Sequence, residues 1–154
     1  MPDGGLPGNK RDDLAQNWLG FLVALLRPVQ VGQPDCGWDE PGIKPKTGQI
    51  VWHRQLVPNE MFDLDAVWEW ILADIDVKGV KRKVTMHFSR GGFLYVIDRT
   101  NGELLSAEPF EKVNWASHVD MKTGRPVETE VSARVRAGEQ IELWPGQWGG
   151  KNWA

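Results

Sequence analysis

The chain has 154 residues, the size of one domain, with 18 Lys+Arg against 21 Asp+Glu and a net charge of −3. That balance lacks the basic excess of a nucleic-acid-binding surface, and 41% hydrophobic with 25% charged residues argues against a wholly disordered chain. A single cysteine, Cys36, excludes an internal disulfide and a cysteine-based zinc cluster, while His53, His87 and His118 form no HExxH or HxH pair.

Residues 1–44 are rich in Gly, Pro, Asp and Gln and hold one helix-like island over 13–26. Leu14, Trp18, Leu22, Leu25 and Leu26 fall on one face at a period of 3.6, Asp12 or Asp13 caps the start, and Pro28 closes it. The apolar run Trp18–Leu26 is nine residues, against about 20 for a membrane span, so none is expected. Lys10 and Arg11 ahead of it give a signal-peptide look. Asp12 and Asp13 at its boundary, and Arg27-Pro28 where a small-x-small cleavage site would stand, argue against one. Pro34-Asp35-Cys36-Gly37 and Pro41-Gly42 read as turn and linker.

Residues 45–154 read as all-β. Gln49–His53, Val67–Ile75, Lys83–Phe88, Phe93–Asp98 and Glu103–Ala107 are short β-branched and aromatic runs bounded by turn residues. Lys78-Gly79 and Arg90-Gly91-Gly92 predict tight hairpins. No stretch from 45 onward shows a sustained helical period, and residues 144–153 read as a loop carrying three Trp. Nine Trp, 17 Gly and 10 Pro in all point to short strands stacked in layers rather than a helical bundle.

A signature recurs. It reads Lys46-Thr47-Gly48-Gln49-Ile50-Val51-Trp52, then Asp98-Arg99-Thr100-Asn101-Gly102-Glu103-Leu104, then Asp120-Met121-Lys122-Thr123-Gly124-Arg125. In each, a Thr or Asn precedes a Gly that opens an extended run. The physics is that of a hairpin: the polar side chain bonds the turn backbone and Gly supplies positive φ. Trp52, four residues after Gly48, is placed to wedge between neighbouring sheets. The glycine spacings, 102 − 48 = 54 and 124 − 102 = 22, mean the copies need not sit one per unit. Three copies in a short Trp-rich β chain point to a propeller-type repeat.

Thr47-Gly48-Gln49-Ile50-Val51-Trp52-His53, Pro58-Asn59-Glu60-Met61-Phe62-Asp63-Leu64-Asp65 and Ser89-Arg90-Gly91-Gly92-Phe93-Leu94-Tyr95-Val96-Ile97-Asp98-Arg99-Thr100-Asn101-Gly102 resemble the quinoprotein alcohol dehydrogenases, which use pyrroloquinoline quinone (PQQ). Val113-Asn114-Trp115-Ala116, Asp120–Pro126 and Gly149-Gly150-Lys151-Asn152-Trp153 continue the resemblance in the family's order, over about residues 45–154. It implies part of an eight-bladed β-propeller of four-stranded blades. At roughly 40–45 residues per blade, these 154 − 44 = 110 residues hold about two and a half blades and cannot close a ring. The expectation is therefore a piece of such an enzyme, either a fragmentary gene product or one part of a split chain.

The resemblance also implies residue roles. Asp63 matches the family's catalytic Asp, the base that takes the alcohol proton near the metal and quinone. Asp65 stands where lanthanide-type members carry Asp and calcium-type members a small uncharged residue. In an extended segment residues i and i+2 point the same way, so Asp63 and Asp65 can share one ion, a lanthanide(III) or Ca²⁺. Arg90 matches the Arg beside the quinone oxygens, and Asn152 with Trp153 the tail motif near PQQ. In the intact family, primary alcohols become aldehydes and electrons pass to a cytochrome c in the periplasm.

The chain also departs from the family. Asn59-Glu60-Met61-Phe62 replaces His-Asp-x-Trp, Ala66-Val67-Trp68 replaces Gly-Val-Asn, and Trp144-Pro145 replaces Cys-Pro, which alters the expected substrate pocket more than the metal chemistry. The family's Glu and Asn metal ligands come from upstream blades, and Gly8-Asn9 does not match the latter. Trp68 and Trp70 are expected on one strand face, with Trp115 in a packing motif. The competing expectation is a non-catalytic Trp-rich propeller segment that binds a partner or carbohydrate. Such a module has no reason to keep Asp63, Asp65 and Arg90 together.

Overall fold

The computed structural model describes residues 39–58 and 69–151. The helix expected over 13–26, the segment with Asp63 and Asp65, Trp68, and the pair Asn152 and Trp153 lie outside the described residues.

The described part is mostly β, in three antiparallel sheets. β1 (Asp39–Lys44) pairs with β2 (Gln49–Gln55) as a hairpin. β3 (Ile71–Val77), β4 (Val80–Phe88), β5 (Phe93–Asp98) and β6 (Leu104–Pro109) form a four-stranded meander in chain order. β7 (Ala116–Val119) pairs with β8 (Pro126–Glu128), and the helix α1 (Glu130–Arg136) follows.

Local chemistry sets these elements. In β5 the alternating Phe93, Tyr95 and Ile97 are buried on one face, while Leu94 and Val96 are half-buried on the other. The β3–β4 hairpin closes through Lys78 (φ 54) and Gly79 (φ 82), the two positive-φ positions of a two-residue turn, and the Gly79 N–H donates to Asp76 Oδ1 at 2.7 Å. The core joins Phe93, Tyr95 and Ile97 to Trp52 of the first hairpin, to Leu56 and Val57 just after it, and to Trp115. Trp115 is fully buried, meets Phe93 edge-on at 6.2 Å, and donates from Nε1 to the Gly91 carbonyl at 2.9 Å. The Tyr95 hydroxyl donates to the Leu56 carbonyl at 3.1 Å, and burial raises its pKa.

The recurring signature forms three turns of one design. The Gly48, Gly102 and Gly124 N–H groups donate to the carbonyls of Lys44, Asp98 and Asp120 at 2.8, 2.8 and 2.7 Å, and all three glycines have positive φ. The residue before each Gly accepts from the backbone just after it: Gln49 N–H to Thr47 Oγ1, Glu103 N–H to Asn101 Oδ1, Arg125 N–H to Thr123 Oγ1. Asp120 also accepts the Thr123 and Lys122 N–H groups, which hold its carboxyl below the usual range. Burial would raise Asp98, but the Thr100 hydroxyl and N–H and the Arg82 guanidinium more than offset it.

Trp52 wedges between hairpin and meander as expected. Its indole lies against Gly42 and Gly102, and its Nε1 donates to the Arg99 carbonyl at 3.0 Å. Arg54, one turn of the pleat further on, donates from Nε and Nη2 to the Gly102 carbonyl at 2.9 and 2.7 Å and from Nη1 to the Thr123 carbonyl at 3.5 Å. One hairpin thereby engages both later turns.

Several elements differ from expectation. Pro41-Gly42, read as linker, lies inside β1, because pairing with β2 and the seat of the Trp52 indole outweigh poor strand propensity. β3 starts at Ile71 rather than Val67. The short strands β7 and β8 escape a reading based on runs of β-branched residues. The described helix is C-terminal: α1 has seven residues, too few for a periodic signal, and buries only Ser132. Glu128 anchors it, accepting from Ser132 Oγ at 2.6 Å and from Arg136 Nη2 at 2.8 Å.

Candidate functional site

The site is built at the end of the meander where β4 turns into β5. Gly92 has φ 91, its N–H donates to the Ser89 carbonyl at 3.0 Å, and this tight turn presents Arg90. Arg90 is 9% exposed. Its Nη2 donates to the Gln147 carbonyl, and its Nε is buried with no hydrogen-bond partner among the described residues.

The tail wraps this arginine. The Gly150 N–H donates to the Arg90 carbonyl at 2.8 Å. A Cβ added to Gly149 (φ 74) would stand 2.6 Å from the Arg90 Cβ, and one on Gly150 would stand 3.1 Å from the Gly92 Cα. The Gly149-Gly150 pair of the tail motif is therefore a steric requirement of the approach to Arg90. Trp148, beside it, is 77% exposed.

The next residue, Lys151, forms an ion pair with Glu69 across 82 positions of sequence. The hydrogen bond from Lys151 and one from the Glu69 backbone lower the Glu69 pKa. Asp65 lies four residues before Glu69 and Asn152 directly follows Lys151. Of the five sequence-predicted site residues, only Arg90 is described. The structure brings to it the tail that leads into Asn152 and Trp153, and ties that tail to the residue leading back to Asp63 and Asp65.

Sequence reasoning missed the group beside this ion pair. His87 is fully buried, its Nδ1 stands 3.4 Å from the Glu69 carbonyl, and Trp70 stacks on its ring at 4.3 Å and 14°. Its Nε2 is buried without a partner among the described residues, and burial pushes its pKa down to about 4, so the ring is neutral near pH 7. The available signal was alternation: Thr85 and His87 share the face of β4 opposite Met86.

Among the described residues there is no group of three or more His, Cys, Asp or Glu able to hold a metal, and no helix long and apolar enough to cross a membrane. Arg90 fits an anionic, quinone-like ligand. It is a nearly buried cation whose Nε–H has no hydrogen-bond partner among the described residues, on a turn against which the Gly149-Gly150 backbone packs directly.

The family model for the β-propeller domain of PQQ glucose/ethanol/alcohol dehydrogenases matches residues 42–130. The chain belongs to this family. It is 46% identical over 111 residues to the quinohemoprotein alcohol dehydrogenase ADH IIB of Pseudomonas putida, covering 72% of this chain and 16% of that protein. It is 39% identical over 109 residues to the lanthanide-dependent methanol dehydrogenase of Methylacidiphilum fumariolicum strain SolV, covering 71% and 18%. The solved quinohemoprotein alcohol dehydrogenase ADHIIG of Pseudomonas putida HK5 superposes with a TM-score of 0.69 at 39% identity, over 75% of this chain and 17% of that one. The chain thus spans less than a fifth of the length of the relatives it matches.

Proposed function

We propose that this chain supplies one wall of the quinone and metal site of a PQQ-dependent alcohol dehydrogenase that oxidises primary alcohols to aldehydes. The observation that carries the reading is Arg90: nearly buried, wrapped by the Gly149-Gly150 tail, and holding an Nε–H without a partner among the described residues. In this reading the propeller part, expected from residue 45, begins with β1 (Asp39–Lys44), and the residues before it are a separate segment.

PQQ, when bound, supplies the acceptor for the hydride of the alcohol carbon. Arg90 would stabilise the negative charge that the quinone oxygens gain, where a preorganised donor in a dry site is worth most. The Asp63 carboxylate takes the proton of the substrate hydroxyl. Asp63 and Asp65 together hold the ion, and this doubly anionic oxygen set favours a light lanthanide over Ca²⁺. Asn152 supplies an amide donor and Trp153 a flat apolar face to the cofactor edge. The reading carries with it a cytochrome c acceptor and a periplasmic location.

The test is complementation. The chain is joined to the remaining blades of the Pseudomonas putida ADH IIB relative and assayed with a primary alcohol and an artificial electron acceptor. Turnover by the joined protein, its loss in Asp63→Asn and Arg90→Ala, and none from the chain alone are expected. Undiminished turnover in Asp63→Asn overturns the assignment.

A further inference from the structure

Three separate stretches of the chain meet at Glu69. Its carboxylate pairs with Lys151 of the tail. Its carbonyl faces His87 Nδ1 of β4 at 3.4 Å, and the next residue, Trp70, stacks on the His87 ring and packs against the core. His87 is fully buried three positions before Arg90, and the Arg90 carbonyl accepts from the Gly150 N–H of the tail at 2.8 Å. These contacts close a ring: Arg90 to Gly150, Lys151 to Glu69, Glu69 to His87, and along the chain from His87 back to Arg90.

The ring has one pliant arc. The closeness of Arg90 demands glycine at 149 and 150, and two successive glycines leave a backbone its widest freedom. The first side chain after them is that of Lys151, and it is tied down. Asn152 directly follows. An ion pair between exposed Glu69 and half-buried Lys151 contributes little to overall stability, so the fold has small need of it. Its leverage is local, because it fixes the end of a segment that its glycines make pliant.

We infer that Glu69 and Lys151 are positioning residues that aim the cofactor-binding end of the tail at the ligand of Arg90. The inference rests on the PQQ reading of the site and adds to it two residues that act through Asn152 rather than by touching the cofactor. The Lys151 ammonium is spent on Glu69, so it holds the tail in place of an anionic ligand.

The chain joined to the remaining ADH IIB blades, freed of cofactor, is titrated with PQQ by equilibrium dialysis at constant Ca²⁺. Glu69→Gln and Lys151→Gln should each weaken PQQ binding about three- to five-fold, with no added loss in the double variant. Exchanging the charges, Glu69→Lys with Lys151→Glu, should restore affinity to within about two-fold. Thermal midpoints of the cofactor-free variants should match the parent, which separates aim from stability. Arg134→Gln, which opens a similar ion pair with Glu139, should leave affinity unchanged. Additive losses, no recovery on exchange, or midpoints that fall in step with affinity each overturn the inference. A loss confined to Lys151→Gln overturns it too, by making Lys151 a direct ligand. Unchanged affinity in Glu69→Gln, where Arg90→Ala still weakens PQQ binding, overturns the positioning role alone. A parent that fails to bind PQQ, or an Arg90→Ala variant that binds as well as the parent, overturns the reading of the site and this inference with it.

Discussion

Trp52 and Gly102 meet face to face across the boundary between the first hairpin and the meander: a Cβ on Gly102 would stand 2.6 Å from the Trp52 Cβ and Cγ. The contact joins a buried ring to a turn whose φ of +77 already calls for glycine. Gly102→Ala displaces the indole and strains the backbone together, and should cost about 2–4 kcal/mol. Gly79→Ala, at φ +82 in open space, carries the backbone penalty alone and should cost about 1 kcal/mol. Trp52→Phe keeps an aromatic ring but removes the N–H that reaches Arg99, for a loss of about 1–2 kcal/mol. Urea denaturation of the three variants checks the order.

Arg54 does for the third turn what Trp52 does for the second. Its forked donors span the Gly102 and Thr123 carbonyls, a geometry that one ammonium group cannot reproduce. Arg54→Lys should therefore destabilise by about 1–2 kcal/mol although the charge is kept. Hydrogen exchange at the Gly124 and Asp120 amides should accelerate more than at the β4 and β5 amides. Equal protection across all of them would show that Arg54 does not bind the turns together.

His87 makes stability depend on pH in a defined window. Burial holds its folded pKa near 4 against an ordinary 6.5. Between these values the unfolded chain binds the extra proton, so stability rises with pH. Acidification from about 6.5 to about 4 should remove up to about 3 kcal/mol, with no further loss from this group below pH 4. The lowered carboxylates of Asp98 and Asp120 act in a separate, more acidic window, below the ordinary carboxylate range. His87→Gln should flatten the slope between pH 4 and 6.5 and leave the acid limb in place, as followed by denaturant midpoints across pH.

What was legible in the sequence was mainly local. Thr-Gly and Asn-Gly turns, the strand Phe93–Asp98, and the hairpin at Lys78-Gly79 are decided within a few residues, and each formed as expected. The Trp52 wedge was legible because its spacing from Gly48 belongs to a repeat. β1 was not, since Pro41 and Gly42 oppose a strand and only pairing with β2 overrides them. The Lys151–Glu69 pair and the buried His87 depend on tertiary approach over 82 and 18 positions, which no local pattern encodes. At the site, the Gly-Gly of the tail was readable as a motif, but its reason, the closeness of Arg90, needed the fold.

The metal preference gives the sharpest check on the proposed site. In the proposed reading Asp65 stands two residues after Asp63 in an extended segment, so both carboxylates can reach one ion. A trivalent cation gains more from the second anionic oxygen than Ca²⁺ does, and it polarises a carbonyl more strongly. In a complete propeller containing residues 45–154, Asp65→Ala should weaken lanthanide binding, read by displacement of luminescent Tb³⁺, by at least about ten-fold. Calcium-supported activity should fall far less than lanthanide-supported activity. Asp63→Asn should abolish turnover with either ion, because the proton acceptor is lost whichever metal is bound. Equal losses with both metals in Asp65→Ala would remove the lanthanide assignment while leaving the alcohol dehydrogenase reading intact, since that rests on Arg90 and Asp63.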